Sequence, residues 1–101
     1  MNAIKVEYTV RPEYVETNKA NIQKVMDELK ASGNTGVLYS VYTKDDHCSF
    51  VHFAIYKNPD EPNIIPTLKA FQHFSKQLKE EGLAIPPHSL KLDMVAKSFE
   101  I

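Results

Sequence analysis

Residues 36–56 read GVLYSVYTKDDHCSFVHFAIY, two apolar runs of strand length on either side of a polar turn. Successive residues of a strand point to opposite faces of a sheet, and both runs carry apolar side chains at even and odd positions. The polar segment 44–47 suits a hairpin turn of several residues. The stretch therefore predicts two antiparallel strands, residues 36–43 and 48–56, whose faces are both largely apolar.

The residues before this hairpin carry a strand pattern and then a helix pattern. Apolar and polar residues alternate over 3–10, which is typical of a strand. Pro12 ends that strand, because proline lacks the N–H group that a sheet ladder needs. From residue 13 to residue 31 apolar residues recur at spacings of three, four and seven, which predicts an amphipathic helix. Gly33 suits a left-handed cap that ends this helix.

The residues after the hairpin repeat the helix and strand order. A second amphipathic helix is predicted to begin between residues 63 and 66 and to continue to residue 81. Two prolines then mark residues 83–87 as a stiff connection. Residues 89–99 complete the pattern as a final strand. Its predicted core-facing residues are Leu90, Leu92, Met94 and Ala96.

The order strand, helix, strand, strand, helix, strand occupies residues 1–101 as one domain. This order predicts a ferredoxin-like α+β fold, βαββαβ, in which two helices cover one face of a four-stranded antiparallel sheet. The apolar outer face would exceed the apolar patch that a monomer tolerates. We therefore expect a homodimer that packs sheet against sheet. A monomeric ferredoxin-like module, such as an ACT-type regulatory domain, is the alternative.

Composition narrows the classes of partner. The net charge is −1, from 12 basic and 13 acidic residues, so the chain lacks the basic excess of a nucleic-acid-binding protein. The N-terminal residues lack the apolar run of a secretory signal, and no apolar run approaches the ~18 residues of a membrane span. The single cysteine, Cys48, excludes an internal disulfide. We expect a cytoplasmic protein without nucleic-acid or membrane partners.

Local motifs for cofactors are absent from the sequence. It contains no HExxH pattern and no paired cysteine and histidine spacing, which are the usual signatures of a local metal site. Its three glycines form no phosphate-binding loop. We therefore predict neither a metal site nor a nucleotide cofactor.

Two histidines are candidates for chemistry. His52 lies in the middle of the predicted third strand, on the same face as Phe50 and Tyr56. One interpretation is a half-buried imidazole that hydrogen-bonds a tyrosine or a dimer partner. The other is an acid or base that contacts a ligand, because histidine titrates near neutral pH. His73 lies beside the apolar stripe of the second helix, either at the edge of the core or at the mouth of a pocket.

Four segments resemble the antibiotic biosynthesis monooxygenase-type domains: residues 4–13 (IKVEYTVRPE), 36–42 (GVLYSVY), 53–58 (FAIYKN) and 71–74 (FQHF). The resemblance extends over nearly the whole chain. It implies a dimeric α+β barrel, in which two four-stranded sheets face each other and each protomer has a small pocket between its sheet and helices. Some members oxidise polycyclic aromatic or quinol substrates with oxygen, without metal or flavin. Others degrade haem, and many have no established activity.

The resemblance thus implies a small monooxygenase that acts on an aromatic or quinone-like molecule without a cofactor. The expected substrate-binding residues are Tyr8, Tyr39, Phe50 and Phe71, and the expected catalytic residues are His52 and His73. Either histidine would take a phenolic proton and leave an electron-rich anion that reacts with oxygen. The alternative is a non-catalytic ligand-binding or dimer-forming domain whose aromatic residues serve packing.

Overall fold

The computed structural model describes residues 2–100 and has the predicted order of elements. The strands are β1 (Ala3–Val10), β2 (Val37–Thr43), β3 (Ser49–Tyr56) and β4 (Leu83–Leu92), and the helices are α1 (Val15–Ala31) and α2 (Lys69–Gln77). The sheet order is β2-β3-β1-β4 and every neighbouring pair is antiparallel. This arrangement confirms the ferredoxin-like α+β prediction.

Both helices pack against one face of the sheet. The core between the layers joins Tyr8, Val10, Val37, Phe50 and Ala54 of the strands to residues of the helices and their flanking turns, among them Val25, Leu29, Leu68, Phe74 and Leu78. Gly33 has φ of 71° just after α1, which confirms the predicted left-handed cap. No helix within residues 2–100 is long and apolar enough to cross a membrane.

The second helical segment differs from the prediction of one continuous helix. It begins with a 3-10 turn, Ile65–Thr67, and Leu68 then adopts an extended backbone with ψ of 132°. The helix α2 begins only at Lys69, where the carboxylate of Glu28 on α1 accepts the N–H groups of Lys69 and Ala70 at 3.2 and 2.7 Å. A wider π turn, Leu78–Gly82, follows α2. The predicted start of the helix was therefore wrong, because Leu68 interrupts the helical backbone. The helix starts after it, where Glu28 of α1 caps its first turn.

The last strand also differs from its prediction. It occupies Leu83–Leu92, so the segment taken for a connection is in fact its first half. Prolines are tolerated there because β4 is an edge strand with only β1 beside it. Leu90 pairs with Lys5 and Leu92 pairs with Ala3 in the register. Both leucines therefore lie on the face opposite the helices, and their predicted core-facing orientation was wrong.

The sheet face away from the helices is apolar at its two sides. Its large exposed side chains are Leu38, Tyr42, Ile85 and Leu90. A polar strip along β1 separates them, in which the Glu7 carboxylate pairs with Lys44 and, at 3.7 Å, with Lys5. Within residues 2–100, the four large apolar side chains on this face remain exposed.

Candidate functional site

A half-open cavity of about 220 Å³ lies between the sheet and α2. Its sheet side is formed by Ile4, Val6, Tyr8, Tyr39, His52 and Ala54. Its helical side is formed by Phe71, Phe74, Ser75, Leu78 and Lys79. A mostly apolar pocket with a few convergent polar groups is the usual form of a small-molecule site.

Four side chains form a continuous hydrogen-bonded chain, and three of them line the cavity. The Asn18 Nδ2 atom donates to the Tyr8 hydroxyl at 2.9 Å. The Tyr8 hydroxyl lies 2.7 Å from His52 Nε2, and the Tyr39 hydroxyl lies 2.6 Å from His52 Nδ1. Both ring nitrogens of His52 therefore have tyrosine partners. We call Asn18, Tyr8, His52 and Tyr39 the polar chain.

The strand register brings the three ring-bearing members of the polar chain together. His52 on β3 stands opposite Val6 on β1 and Val41 on β2. Tyr8 is two residues after Val6 and Tyr39 is two residues before Val41, so both occupy the same sheet face as His52, on either side of it. Their rings lie 5.2 and 5.8 Å from the His52 ring, between centroids.

Burial sets the charge state of the polar chain. His52 is 7% exposed, and its removal from water lowers its pKa to about 4. Burial likewise raises the pKa of Tyr8 and of Tyr39, although the hydrogen bond from Asn18 partly opposes the rise at Tyr8. All three rings are consequently neutral near pH 7. A neutral imidazole has one donor nitrogen and one acceptor nitrogen.

The structure brings together four of the six site residues expected from the sequence. Tyr8, Tyr39, His52 and Phe71 line the cavity. Phe50 is buried and stacks on Tyr8, with 5.7 Å between ring centroids, but it does not line the cavity.

His73 lies apart from the other expected site residues. Its side chain is exposed on α2 and does not line the cavity. The residues of α2 that do so are Phe71, Phe74 and Ser75, and a position two residues after Phe71 is on a different side of the helix.

Sequence reasoning missed Asn18. Its side chain is completely buried, and its Oδ1 atom has no hydrogen-bond partner among the described residues. A signal was present, because Asn18 lies three residues after Val15 and four before Ile22 on the apolar stripe of α1. A buried amide on such a stripe indicates a polar partner across the core, which is Tyr8.

Lys79 was also missed, and among the residues that the structure describes it is the one charged side chain that lines the cavity. It lies in the π turn that follows α2, four residues after Ser75. Within residues 2–100, no three histidine, cysteine, aspartate or glutamate side chains form a group that could hold a metal ion.

Solved structures with the same fold include several antibiotic biosynthesis monooxygenase-type proteins. The "Putative antibiotic biosynthesis monooxygenase from Nitrosomonas europaea" has a TM-score of 0.77 at 15% identity, over 95% of this chain and 100% of that one. A protein described in the same words from Caulobacter crescentus has a TM-score of 0.76 at 17% identity, over 93% and 89%. A protein of unknown function from Nitrosomonas europaea reaches 0.73 at 13% identity, over 98% and 93%.

No protein-family model matches the sequence. No curated protein matches it either. The likeness to the solved structures is one of fold, and a shared fold does not by itself carry an activity. The chain thus has the ferredoxin-like fold of the antibiotic biosynthesis monooxygenase-type proteins, which confirms the resemblance drawn from its sequence.

Proposed function

We propose that this protein is a monooxygenase-like protein that takes an aromatic or quinone-like molecule into the cavity beside α2 and acts on it without a resident cofactor. The observation that carries the proposal is the polar chain at the wall of an otherwise apolar cavity. The apolar walls would hold a ring system, and the polar chain would orient its oxygen substituent.

Tyr39 is the member of the polar chain proposed to meet the ligand. It is half-buried, whereas Tyr8 and His52 are 3% and 7% exposed. Both nitrogens of His52 already have tyrosine partners, so a ligand oxygen would bind the Tyr39 hydroxyl rather than the imidazole. His52 then serves as a positioning residue that holds Tyr39.

This proposal changes the role expected for His52. A histidine whose pKa is lowered to about 4 by burial is a weak proton acceptor at neutral pH. The ligand is therefore proposed to bind as an aromatic anion or through a carbonyl oxygen, and an electron-rich anion is the form that reacts directly with oxygen. His73 has no part in this proposal because it does not line the cavity.

The experiment that tests this function combines binding with turnover. Purified protein would be titrated by calorimetry with bicyclic naphthols and naphthoquinols, and oxygen uptake would be followed with an electrode. Saturable binding with oxygen uptake supports the proposal. Binding without oxygen uptake favours the alternative of a non-catalytic ligand-binding domain. Failure of every compound to bind would contradict both.

We propose further that two copies pack through their open sheet faces. Four large apolar side chains are exposed on that face, with exposed fractions between 44% for Leu38 and 58% for Tyr42 and Ile85. Exposed apolar area of this kind is commonly buried by a second copy about a two-fold axis. The cavity lies on the opposite face of the sheet, so such a dimer would leave it accessible.

A further inference from the structure

We infer that Asn18 fixes the direction of the polar chain, so that the Tyr39 hydroxyl offers its proton to the cavity and selects a ligand with an acceptor oxygen. The inference on the hydrogen-bond direction stands on the buried contacts alone. The inference on the ligand rests on the proposed function, because it requires a ligand in this cavity.

The first step is the contact between Asn18 and Tyr8. The amide nitrogen of asparagine can only donate, and Asn18 Nδ2 lies 2.9 Å from the Tyr8 hydroxyl oxygen. Tyr8 is therefore the acceptor. In the observed orientation the buried Oδ1 atom lacks a partner. If the amide were turned around, the buried NH₂ group would lack one instead. Unpartnered carbonyl oxygens are less costly in protein interiors than unpartnered N–H groups, which favours the observed orientation.

The second step is the proton of the Tyr8 hydroxyl. Tyr8 is 3% exposed, so this proton needs a partner within the protein. His52 Nε2, at 2.7 Å, is the acceptor available to it. Since the imidazole is neutral and Nε2 accepts, the ring proton must be on Nδ1.

The third step is the hydrogen bond between His52 and Tyr39, whose side chain lines the cavity. The Nδ1–H group of His52 donates to the Tyr39 oxygen at 2.6 Å. The proton of the Tyr39 hydroxyl is then free of the polar chain, on a side chain that lines the cavity. The site thus presents a donor, which suits a ketone or quinone carbonyl or an aromatic anion. If both hydrogen bonds of His52 ran the other way, the Tyr8 oxygen would accept from both Asn18 and His52. The buried Tyr8 proton would then have no partner.

The direct test is the tautomer of His52 in the unmodified protein. Long-range ¹H–¹⁵N NMR at pH 7 on protein with ¹⁵N-labelled histidine distinguishes a protonated Nδ1 from a protonated Nε2. The His52 signals would be assigned by their loss in His52→Gln. The account expects protonation of Nδ1 alone. A protonated Nε2, or a mixture of the two forms, would overturn it.

A matched pair of variants tests the part played by Asn18. Asn18→Asp replaces the donor with an acceptor at nearly constant size. The Tyr8 proton can then turn to residue 18, so the Nε2-protonated form of His52 should appear. Asn21→Asp is the control, because Asn21 is also buried on α1 but donates to Gln77 at 2.8 Å rather than to Tyr8. It should leave the tautomer unchanged. A single Nδ1-protonated form in Asn18→Asp would overturn the role assigned to Asn18.

Ligand selection is tested with three bicyclic probes of similar size. 1-Tetralone carries an acceptor oxygen, indole carries a donor N–H, and tetralin carries neither. We expect 1-tetralone to bind about tenfold more tightly than indole, since one good hydrogen bond is of that order. Equal affinities would overturn the selection rule. If no probe binds while Nδ1 is protonated, the proposed function fails and the hydrogen-bond direction stands.

Discussion

The Nδ1 atom of His52 lies 2.6 Å from the Tyr39 hydroxyl oxygen, so this ring nitrogen already has a hydrogen-bond partner inside the protein. Tyr8 takes the other nitrogen at 2.7 Å. An imidazole with both nitrogens bound and its pKa lowered by burial is held neutral and in one orientation. Its effect on a ligand would therefore be exerted through Tyr39.

The stability of the protein should depend on pH through His52. Burial lowers the pKa of this group in the folded state to about 4 from its ordinary value of 6.5. The unfolded chain therefore binds more protons between these values, and stability is full above about pH 6.5 and falls as the pH drops toward 4. The loss over this window is about 3 kcal/mol, from 1.36 kcal/mol per pKa unit.

Urea denaturation at a series of pH values measures this loss. His52→Gln should flatten the slope between pH 6.5 and 4, because it removes the titrating group. His73→Gln is the matched control, since His73 is exposed and should leave the slope unchanged. An equal slope in the parent protein and His52→Gln would show that His52 is not the group responsible.

Loss of the Tyr39 hydroxyl should weaken ligand binding. Tyr39→Phe keeps the ring but removes the group proposed to bind the ligand oxygen, and affinity for a naphthol should fall about tenfold, the value of one hydrogen bond. Tyr42→Phe is the control on the same strand, because Tyr42 is exposed on the opposite face of the sheet. Calorimetric titration measures both, and equal losses in the two variants would count against a ligand at Tyr39.

Lys79 should favour ligands that carry an acidic group. Within residues 2–100 it is the one charged residue that lines the cavity. It is exposed, so its attraction for an anion is partly screened. Lys79→Met should weaken binding of 2-naphthoate about fivefold and leave 2-naphthol nearly unchanged. Lys76→Met, which alters an exposed lysine outside the cavity, should affect neither compound. Equal changes for the two compounds would argue against a charge effect.

A charge on the open sheet face should weaken the proposed dimer. Leu90 is 46% exposed on that face and pairs with Lys5 in the register. Leu90→Arg would place a charge within the proposed contact on both copies and shift the protein toward monomer. Light scattering after size exclusion measures the mass, with Gln23→Arg on the exposed side of α1 as the control. A monomer in the parent protein would contradict the proposed dimer outright.

Gly82 should not tolerate a side chain. A Cβ atom there would lie 2.5 Å from ring carbons of Tyr14, closer than real contacts allow. Gly82→Ala should lower the free energy of unfolding by about 1–3 kcal/mol, as overpacking of a core does. A Cβ atom at Gly36 would meet side-chain oxygens of Asn34 at 3.3 Å and Glu61 at 3.8 Å, so Gly36→Ala should cost less. Urea denaturation compares the two variants.

The sequence predicted those parts of the fold that local pattern controls. The limits of β1 agree with its period of two, and α1 agrees within two residues with its apolar stripe. The break at Leu68 was not predictable in this way, because the new helix start is capped by Glu28 from α1. The strand containing Pro86 and Pro87 depends on its place at the sheet edge, which the local sequence does not reveal.

The candidate site was predictable in its aromatic members and not in its polar connections. Tyr8, Tyr39 and His52 follow from the alternation of their strands, which places them on one face. Asn18 lies 10 residues from Tyr8 in sequence. Its place in the polar chain depends on how α1 packs across the sheet. The exclusion of His73 depends on the rotation of α2, which a short apolar stripe does not fix.

The most direct test of the central claim is the response of the histidine NMR signals to a ligand. 1-Naphthol would be titrated into protein with ¹⁵N-labelled histidine, and the signals of His52 and His73 would be followed together. The account predicts a saturable shift of the His52 signals while those of exposed His73 stay in place. Saturable binding that leaves His52 unmoved, or that moves His73 instead, would contradict a ligand site at the polar chain.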